Sequence, residues 1–331
     1  MLRYGTLLAI LSAAVALKTG TADAAGCSAL KLLTSLPLKV VAAGRPGIEV
    51  QVAGTPHTFL IDTGGVTGTL ARDAVQDLRL KAYRSPRYVI TNINGKPMEQ
   101  TVRAPSIDVG AVHREGSLLY VDDTTPPKNT PGFFDGSLAP DFLVHYDADF
   151  DFLRGKFNLF SQDHCPGKVV YWQTTAVAAV PFQMDRAGHV IFQMELDGRG
   201  LNAMIDTGSA NTNLNLDVAR RTFAVDVRAP DVEKIGELKG DTTADIYLRH
   251  FKTLSVADVT ISNPAIVLMP DMITPQWAPP RLGQLFRRDP ELPSIVLGMS
   301  VLKMLHVYIA YGEHKLYISA ADAGVPAPIT N

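Results

Sequence analysis

One phrase occurs twice in this chain and constrains it more than any other feature: Ile61-Asp62-Thr63-Gly64-Gly65 returns, 144 residues later, as Ile205-Asp206-Thr207-Gly208-Ser209. The correspondence runs on without a gap on the N-terminal side. Leu36-Pro37-Leu38 matches Val180-Pro181-Phe182, Ala43-Gly44 matches Ala187-Gly188, and Ile48, Val50, Val52 and Gly54 match Phe192, Met194, Leu196 and Gly198. A lone Asp-Thr-Gly carries little information, whereas one that recurs inside matched alternation marks an internal duplication. With 331 residues, the chain has room for two domain-sized halves.

Ile48, Val50 and Val52 alternate with Glu49, Gln51 and Ala53, the period of a half-buried strand. After a turn at Gly54-Thr55-Pro56, the run Thr58-Phe59-Leu60-Ile61 is nearly all apolar, as in a strand covered on both faces, and it delivers Asp62 at its end. Thr63-Gly64-Gly65 is then expected to turn tightly, with glycine supplying backbone angles closed to other residues. A short helix is expected over Asp73–Leu80. Tyr88-Val89-Ile90-Thr91 and the residues after Pro97 flank Asn94-Gly95, a strong hairpin signal, and Leu238-Lys239-Gly240-Asp241 takes nearly the same place in the second half. Each half thus has a hairpin roughly thirty residues after its acid. A plain surface hairpin is the alternative, but the repeated distance favours a mobile cover over a cleft, with Tyr88, Asn94 and Gly95 as candidate residues.

Ser106–Gly110 and Leu118–Val121 continue as strands, echoed by Leu254–Val259 and Ala265–Met269. Proline-rich loops follow in both halves. The first, Asp122–Gly136, carries Pro126, Pro127, Pro131, Phe133 and Phe134; the longer second, Pro270–Ser294, carries Trp277, Arg281, Arg287 and Arg288, and both are expected to line the cleft. Leu138-Ala139-Pro140-Asp141-Phe142-Leu143 then matches Leu297-Gly298-Met299-Ser300-Val301-Leu302 at a wider spacing, which places an insertion in the second half, most easily in the longer loop. Ser161–Lys168 reads as the connection, so the halves span 26–165 and 166–331. The tail Gly324–Asn331 is expected to be loose.

Hydrophobic residues at 46% and a formal charge of −2 describe an ordinary soluble globular protein, with no basic excess to attract nucleic acid. Residues 1–25 read as an export signal: Arg3 starts it, Leu7–Leu17 forms a mainly apolar core, and Ala22-Asp23-Ala24 offers small residues for cleavage. That core falls well short of the ~20 apolar residues that span a bilayer. The mature chain is therefore expected to be periplasmic or secreted, without a membrane span, and a monomer. Cys27 raises the alternative of lipid attachment, but such a signal runs straight from its apolar core into the cysteine, and here a polar stretch intervenes after Lys18. Cys27 and Cys165 are the only cysteines. An even count in an exported protein favours a disulfide, with two free or buried thiols as the alternative.

Two apolar residues before Asp-Thr-Gly, then a hairpin, then an apolar segment ending in Gly or Ala, once per half, resemble the pepsin and retropepsin class of aspartic proteases. The short halves and the wording Leu297-Gly298-Met299 resemble retropepsin-like proteins fused in tandem. The resemblance implies an all-β, mainly β protein of two similar β-barrel lobes with an active-site cleft between them. It further implies that Asp62 and Asp206 face each other as the catalytic pair and share one proton, since repulsion between like charges raises one of their two apparent pKa values. One carboxylate would take a proton from a bound water while the other acid donates to the scissile carbonyl oxygen, acting on peptides or unfolded protein segments. Thr63 and Thr207 would tie the acid loops together, and Gly64 and Gly208 would let backbone amides approach the carboxyls.

No cofactor or metal is implied, and the chain has no His-Glu-x-x-His arrangement or Cys cluster to hold one. Gly65 stands where the family usually has serine or alanine, so Asp62 lacks a hydroxyl support that Ser209 could give Asp206. Ala139 stands where the family has the glycine seen at Gly298. These departures keep a catalytically silent peptide-binding module as the alternative function; a structural protein of the cell envelope is a further one, without any repeat array or anchor to support it. Of the eight histidines, His57, His113, His145 and His189 are scattered and His306 and His314 sit among strand residues, so they read as structural. Ser209 lacks the Gly-x-Ser-x-Gly setting of a nucleophile.

Overall fold

The structure, a computed structural model, describes residues 27–85, 90–91, 97–125, 128, 130, 132–174, 176–238, 243–270 and 293–321. Outside the described residues lie the leader over 1–25, Tyr88, Asn94 and Gly95, residues 239–242, Pro126, Pro127 and Pro131, the stretch 271–292 with Trp277, Arg281, Arg287 and Arg288, and the tail from 322.

Alternation builds the first lobe. Along Arg45–Val52 the side chains of Ile48, Val50 and Val52 are buried while Glu49 is exposed. Ala53-Gly54, at φ of 49° and 77°, reverses the chain in two residues, the geometry that suits the right-handed twist of paired strands. Thr55–Ile61 pairs back, Phe59 against Ile48. The strands then neighbour one another in the order Arg45–Val52, Thr55–Ile61, Gly136–Leu138, Thr69–Ala71, Val112–Asp122 and Gln100–Val109, and the last returns to the first through Val52 and Ile107, closing a six-stranded barrel. Ile48, Phe59, Ile61, Leu70, Ile107 and Leu138 fill it, all fully buried. Each such side chain contributes about 1.5–3 kcal/mol by leaving water.

The second lobe repeats the order with Val190–Leu196, Arg199–Ile205, Ile295–Leu297, Asn213–Asn215, Ala265–Met269 and Ala244–His250. Its closing hairpin is broken. The chain steps at Phe251-Lys252 into Thr253–Val256, and this short strand returns to Val190–Leu196. The carboxylate of Asp197 accepts the backbone N–H groups of Lys252 and Thr253 at the break. The single strand expected over Leu254–Val259 is therefore a hairpin, Thr253–Val256 against Val259–Ser262, turned at Ala257 with φ 46°. The expected short helix runs over Arg72–Asp77, and its counterpart Leu216–Phe223 is started by the Asn215 side chain, which accepts from the N–H groups of Asp217 and Val218. Ile90–Thr91 pairs with Pro97–Met98 and Val232–Leu238 with Ala244–His250, so both expected hairpins have paired flanks.

A second antiparallel sheet joins the lobes, three strands from each half: Leu32–Pro37, Lys156–Phe160, Asp147–Asp151, Leu305–Ala310, Lys315–Ala320 and Ala178–Met184. At its centre Asp149 pairs with Tyr308, flanked by Ala148 with Ile309 and Phe150 with Val307. Exchanging every residue for its repeat mate leaves this register unchanged, so the pseudo-twofold axis passes between Asp149 and Tyr308. The connecting segment lies against this sheet. Cys165 forms a disulfide with Cys27, tying the two ends of the first half. Among the described residues no helix is long and apolar enough to cross a membrane.

Candidate active site

Each acid stands where its strand has to stop. Thr55–Ile61 runs parallel to Gly136–Leu138, and the N–H of Asp62 donates to the Leu138 carbonyl at 2.9 Å; Asp206 does the same to Leu297 at 3.0 Å. Gly136–Leu138 carries Thr69–Ala71 on its other edge, so the chain between 62 and 68 has to pass over the end of that strand. Ile295–Leu297 is flanked in the same way by Arg199–Ile205 and Asn213–Asn215.

The two crossings interlock. The N–H of Thr63 donates to Thr207 Oγ1 at 3.1 Å and that of Thr207 to Thr63 Oγ1 at 3.0 Å, while the Thr63 hydroxyl donates to the Ile205 carbonyl at 3.0 Å and the Thr207 hydroxyl to the Ile61 carbonyl at 2.6 Å. Both threonines are 1% exposed, so water cannot replace these bonds. Such a bond contributes about 0.5–1.5 kcal/mol, and a buried partner left without one costs about 1–3 kcal/mol.

Gly64 and Gly208 are needed for space and not for unusual backbone angles, contrary to the expectation for this turn: neither adopts positive φ. A Cβ on Gly64 would fall 2.3 Å from Asp206 Cγ, and one on Gly208 would fall 2.2 Å from Asp62 Oδ1. Each carboxyl thus rests on the glycine of the opposite half. The carboxyls of Asp62 and Asp206 lie close enough to act on each other's pKa. Gly64 N–H donates to Asp62 Oδ1 at 3.1 Å, and Gly208 and Ser209 N–H donate to Asp206 Oδ1 at 2.8 and 3.0 Å.

Both acids are half-buried, and packing of protein around them is the main force that raises their pKa values. Asp206 is pushed up to about 7 by burial and then by the negative charge of Asp62, against the pull of the Gly208 and Ser209 amides. Asp62 is raised by burial, opposed by the Gly64 amide, by its hydrogen bond with Asp206 and by the charge of Arg45.

Ser209 helps Asp206 through its backbone amide. Its hydroxyl donates to the Asn211 carbonyl at 2.8 Å and not to the carboxyl, so the hydroxyl support expected from sequence is absent. The departures at Gly65 and Ala139 lie against each other: a Cβ on Gly65 would stand 3.3 Å from the Ala139 Cβ and 3.0 Å from Asp62 Oδ2. In the second half the small residue is on the other side, since a Cβ on Gly298 would meet the Asn211 carbonyl oxygen at 2.1 Å. One half leaves room in the acid loop and the other in the segment beneath it.

Two basic side chains reach the site: Arg45, which the sequence did not single out, and His189, which reads as structural from sequence. Arg45 Nη1 donates to the Gly208 carbonyl at 3.3 Å, and burial lowers the Arg45 pKa while Asp62 and Asp206 hold its charge. His189 Nε2 lies 3.1 Å from the Gly65 carbonyl and its Nδ1 2.8 Å from Asp185 Oδ2. Their signal was present: Arg45 and His189 each follow directly on the matched Ala43-Gly44 and Ala187-Gly188. Of the expected hairpin residues, Tyr88, Asn94 and Gly95 lie outside the described residues. Among the described residues no group of three or more His, Cys, Asp or Glu is disposed to hold a metal ion.

The model of the aspartyl protease family matches residues 48–136 and 192–301, more than half of the chain and one stretch in each half. No curated protein sequence matches. Among solved structures, the crystal structure of Basic 7S globulin from soybean is similar, at a TM-score of 0.48 and 12% identity, covering 90% of this chain and 100% of that one.

Proposed function

Because the chain belongs to the aspartyl protease family, we propose that it is an aspartic endopeptidase, hydrolysing peptides or unfolded protein segments with a water activated by Asp62 and Asp206. The observation that carries this reading is the meeting of two half-buried carboxyls, one per half, each packed against the glycine of the opposite acid loop and standing on interlocked threonines.

In this reading the pair holds a single proton at mildly acidic pH. The ionised carboxyl accepts a proton from the water as its oxygen attacks the carbonyl carbon, and the protonated carboxyl donates to the carbonyl oxygen, giving a tetrahedral diol. The diol collapses as a proton passes to the leaving amine and the peptide bond breaks, which returns one proton to the pair. Gly64, Gly208 and Ser209 hold the carboxyls through their amides, and Thr63 and Thr207 hold the loops at fixed separation, which matters because catalytic groups tolerate only small misplacement. In the same reading the hairpins expected around Asn94-Gly95, with Tyr88, and over Leu238-Lys239-Gly240-Asp241 cover the cleft and exclude water from the bound substrate. The lobes correspond to 26–165 and 166–331. Residues 1–25 are removed on export, and the mature periplasmic or secreted chain works as a monomer, a setting that suits its disulfide.

The test is incubation of the purified mature protein with a mixed peptide library at acidic and neutral pH, read by mass spectrometry. Internal cleavage that is lost in Asp62→Asn supports the proposal. Peptide binding without cleavage at any pH replaces it with a peptide-binding module.

A further inference from the structure

Arg45 and His189 are repeat mates that reach in opposite directions across the lobe boundary. Arg45 of the first half donates to the Gly208 carbonyl in the second acid loop, and His189 of the second half faces the Gly65 carbonyl in the first. They are anchored differently. Arg45 Nε donates to the Ala42 carbonyl at 2.7 Å and its guanidinium lies 5.4 Å from the centre of the Phe134 ring. His189 Nδ1 meets Asp185, whose other oxygen accepts the N–H groups of Ala187 and His189.

The carbonyl that His189 faces is free for a local reason. In the second half the Ser209 carbonyl accepts the N–H of Met299 at 2.8 Å. The mate of Ser209 is Gly65 and the mate of Met299 is Pro140, which has no N–H to give. His189 supplies the donor that the proline lacks. Its protonation follows from the same geometry, because both ring nitrogens face acceptors, one a carboxylate and one a carbonyl. Only the imidazolium donates to both; a neutral ring turns a lone pair towards one of them.

We propose that Arg45 and His189 are paired positioning residues, each holding the acid loop of the opposite half, Arg45 at every working pH and His189 only while protonated. Loss of the His189 proton then loosens the loop that carries Asp62. This rests on the reading of Asp62 and Asp206 as the hydrolytic pair. Burial is the largest influence on His189 and opposes its charge; the hydrogen bond and charge of Asp185 in its own turn, the Gly65 carbonyl and the charge of Asp206 together outweigh it, and its pKa is raised. The helix Pro140–Leu143, which packs beside Gly188, carries Asp141, and that carboxylate is taken up by Thr67 and Gly68.

The experiment compares the pH dependence of kcat/KM for the unmutated protein, His189→Arg and His189→Gln. His189→Arg puts a permanent cation where its mate already has one, and it should retain most of the unmutated kcat/KM on the acid side, while the alkaline limb, where the Asp62–Asp206 pair loses its shared proton, stays in place. His189→Gln should lose about tenfold in kcat/KM on the acid side, chiefly in kcat, and less on the alkaline side. A loss on the acid side in His189→Arg as large as that in His189→Gln overturns the proposal. The His189 imidazole is also titrated by NMR in the unmutated protein. A pKa above the ordinary ~6.5 that falls in Asp185→Asn supports the clasp, and a ring already neutral near pH 5 overturns it. This second measurement decides the matter if a variant fails to fold. It also separates the two readings, since an unmutated protein that never cuts peptides removes the proposed activity while the titration still judges the clasp.

Discussion

Gly64 faces the carboxyl of Asp206, and no side chain fits there. Gly64→Ala should therefore push the acid loops apart, lowering turnover by roughly a hundredfold or more and lowering the melting temperature as well; steady-state kinetics beside thermal unfolding checks both. Thr207 separates shape from hydrogen bonding. Thr207→Val keeps the volume but removes the acceptor of the Thr63 N–H and the donor to Ile61, at a cost of about 2–4 kcal/mol in denaturant unfolding. Thr207→Ser should recover most of that loss. The acids, threonines and glycines stood out in the sequence because they repeat. What the glycines do did not, since a turn glycine looks the same whether it serves backbone angle or space. His189 reads as structural from sequence, as a lone histidine usually is; the carbonyl it faces becomes visible only once Pro140 is set beside Met299.

Among the elements, the strand Asp147-Ala148-Asp149-Phe150-Asp151 looks half-exposed by composition, yet every residue in it is buried. Its setting in the joining sheet explains this, because the connecting segment covers it and supplies partners. His164 lies 2.6 Å from Asp147, His306 lies 2.7 Å from Asp149, Tyr171 and Asn158 donate to Asp149, and the Trp172 ring stacks 4.1 Å from that of His306. Such pairing depends on chain segments far apart in sequence, so local pattern could not reveal it. The strands, by contrast, were readable from alternation and their closure into barrels from the family resemblance, and the disulfide from the cysteine count and the export signal expected over 1–25. Replacing Cys27 and Cys165 together by serine should cost about 2–5 kcal/mol, read as a lower midpoint in denaturant, because the bridge closes a loop of 138 residues. Shortening the hairpin at Asn94-Gly95 should lower peptide turnover more than the melting temperature, as for an element that covers a site. Equal losses in both would make it a structural hairpin.

At the scale of the whole molecule, a pseudo-twofold axis through Asp149 and Tyr308 brings the two Asp-Thr-Gly loops together and makes one site from two copies. The copies have diverged around it, with Gly65 and Ala139 against Ser209 and Gly298, and Arg45 against His189. Bringing the acids together has a cost that depends on pH. An acid whose pKa is raised on folding binds its proton more tightly in the folded state, so its contribution is most favourable below the unfolded value of ~3.9 and is lost as pH rises towards the folded value. For Asp206 that window ends at about 7. Asp206→Asn should thus melt higher than the unmutated protein near neutral pH, with the difference shrinking as pH falls towards the ordinary carboxylate range. The shared-proton mechanism is tested most directly by peptide turnover in Asp62→Asn, Asp206→Asn and the double variant, each verified as folded. The expected result is a loss of at least about a thousandfold in each single variant and little further loss in the double, because groups that act as one unit are strongly non-additive. Near-native turnover in either single variant would contradict it.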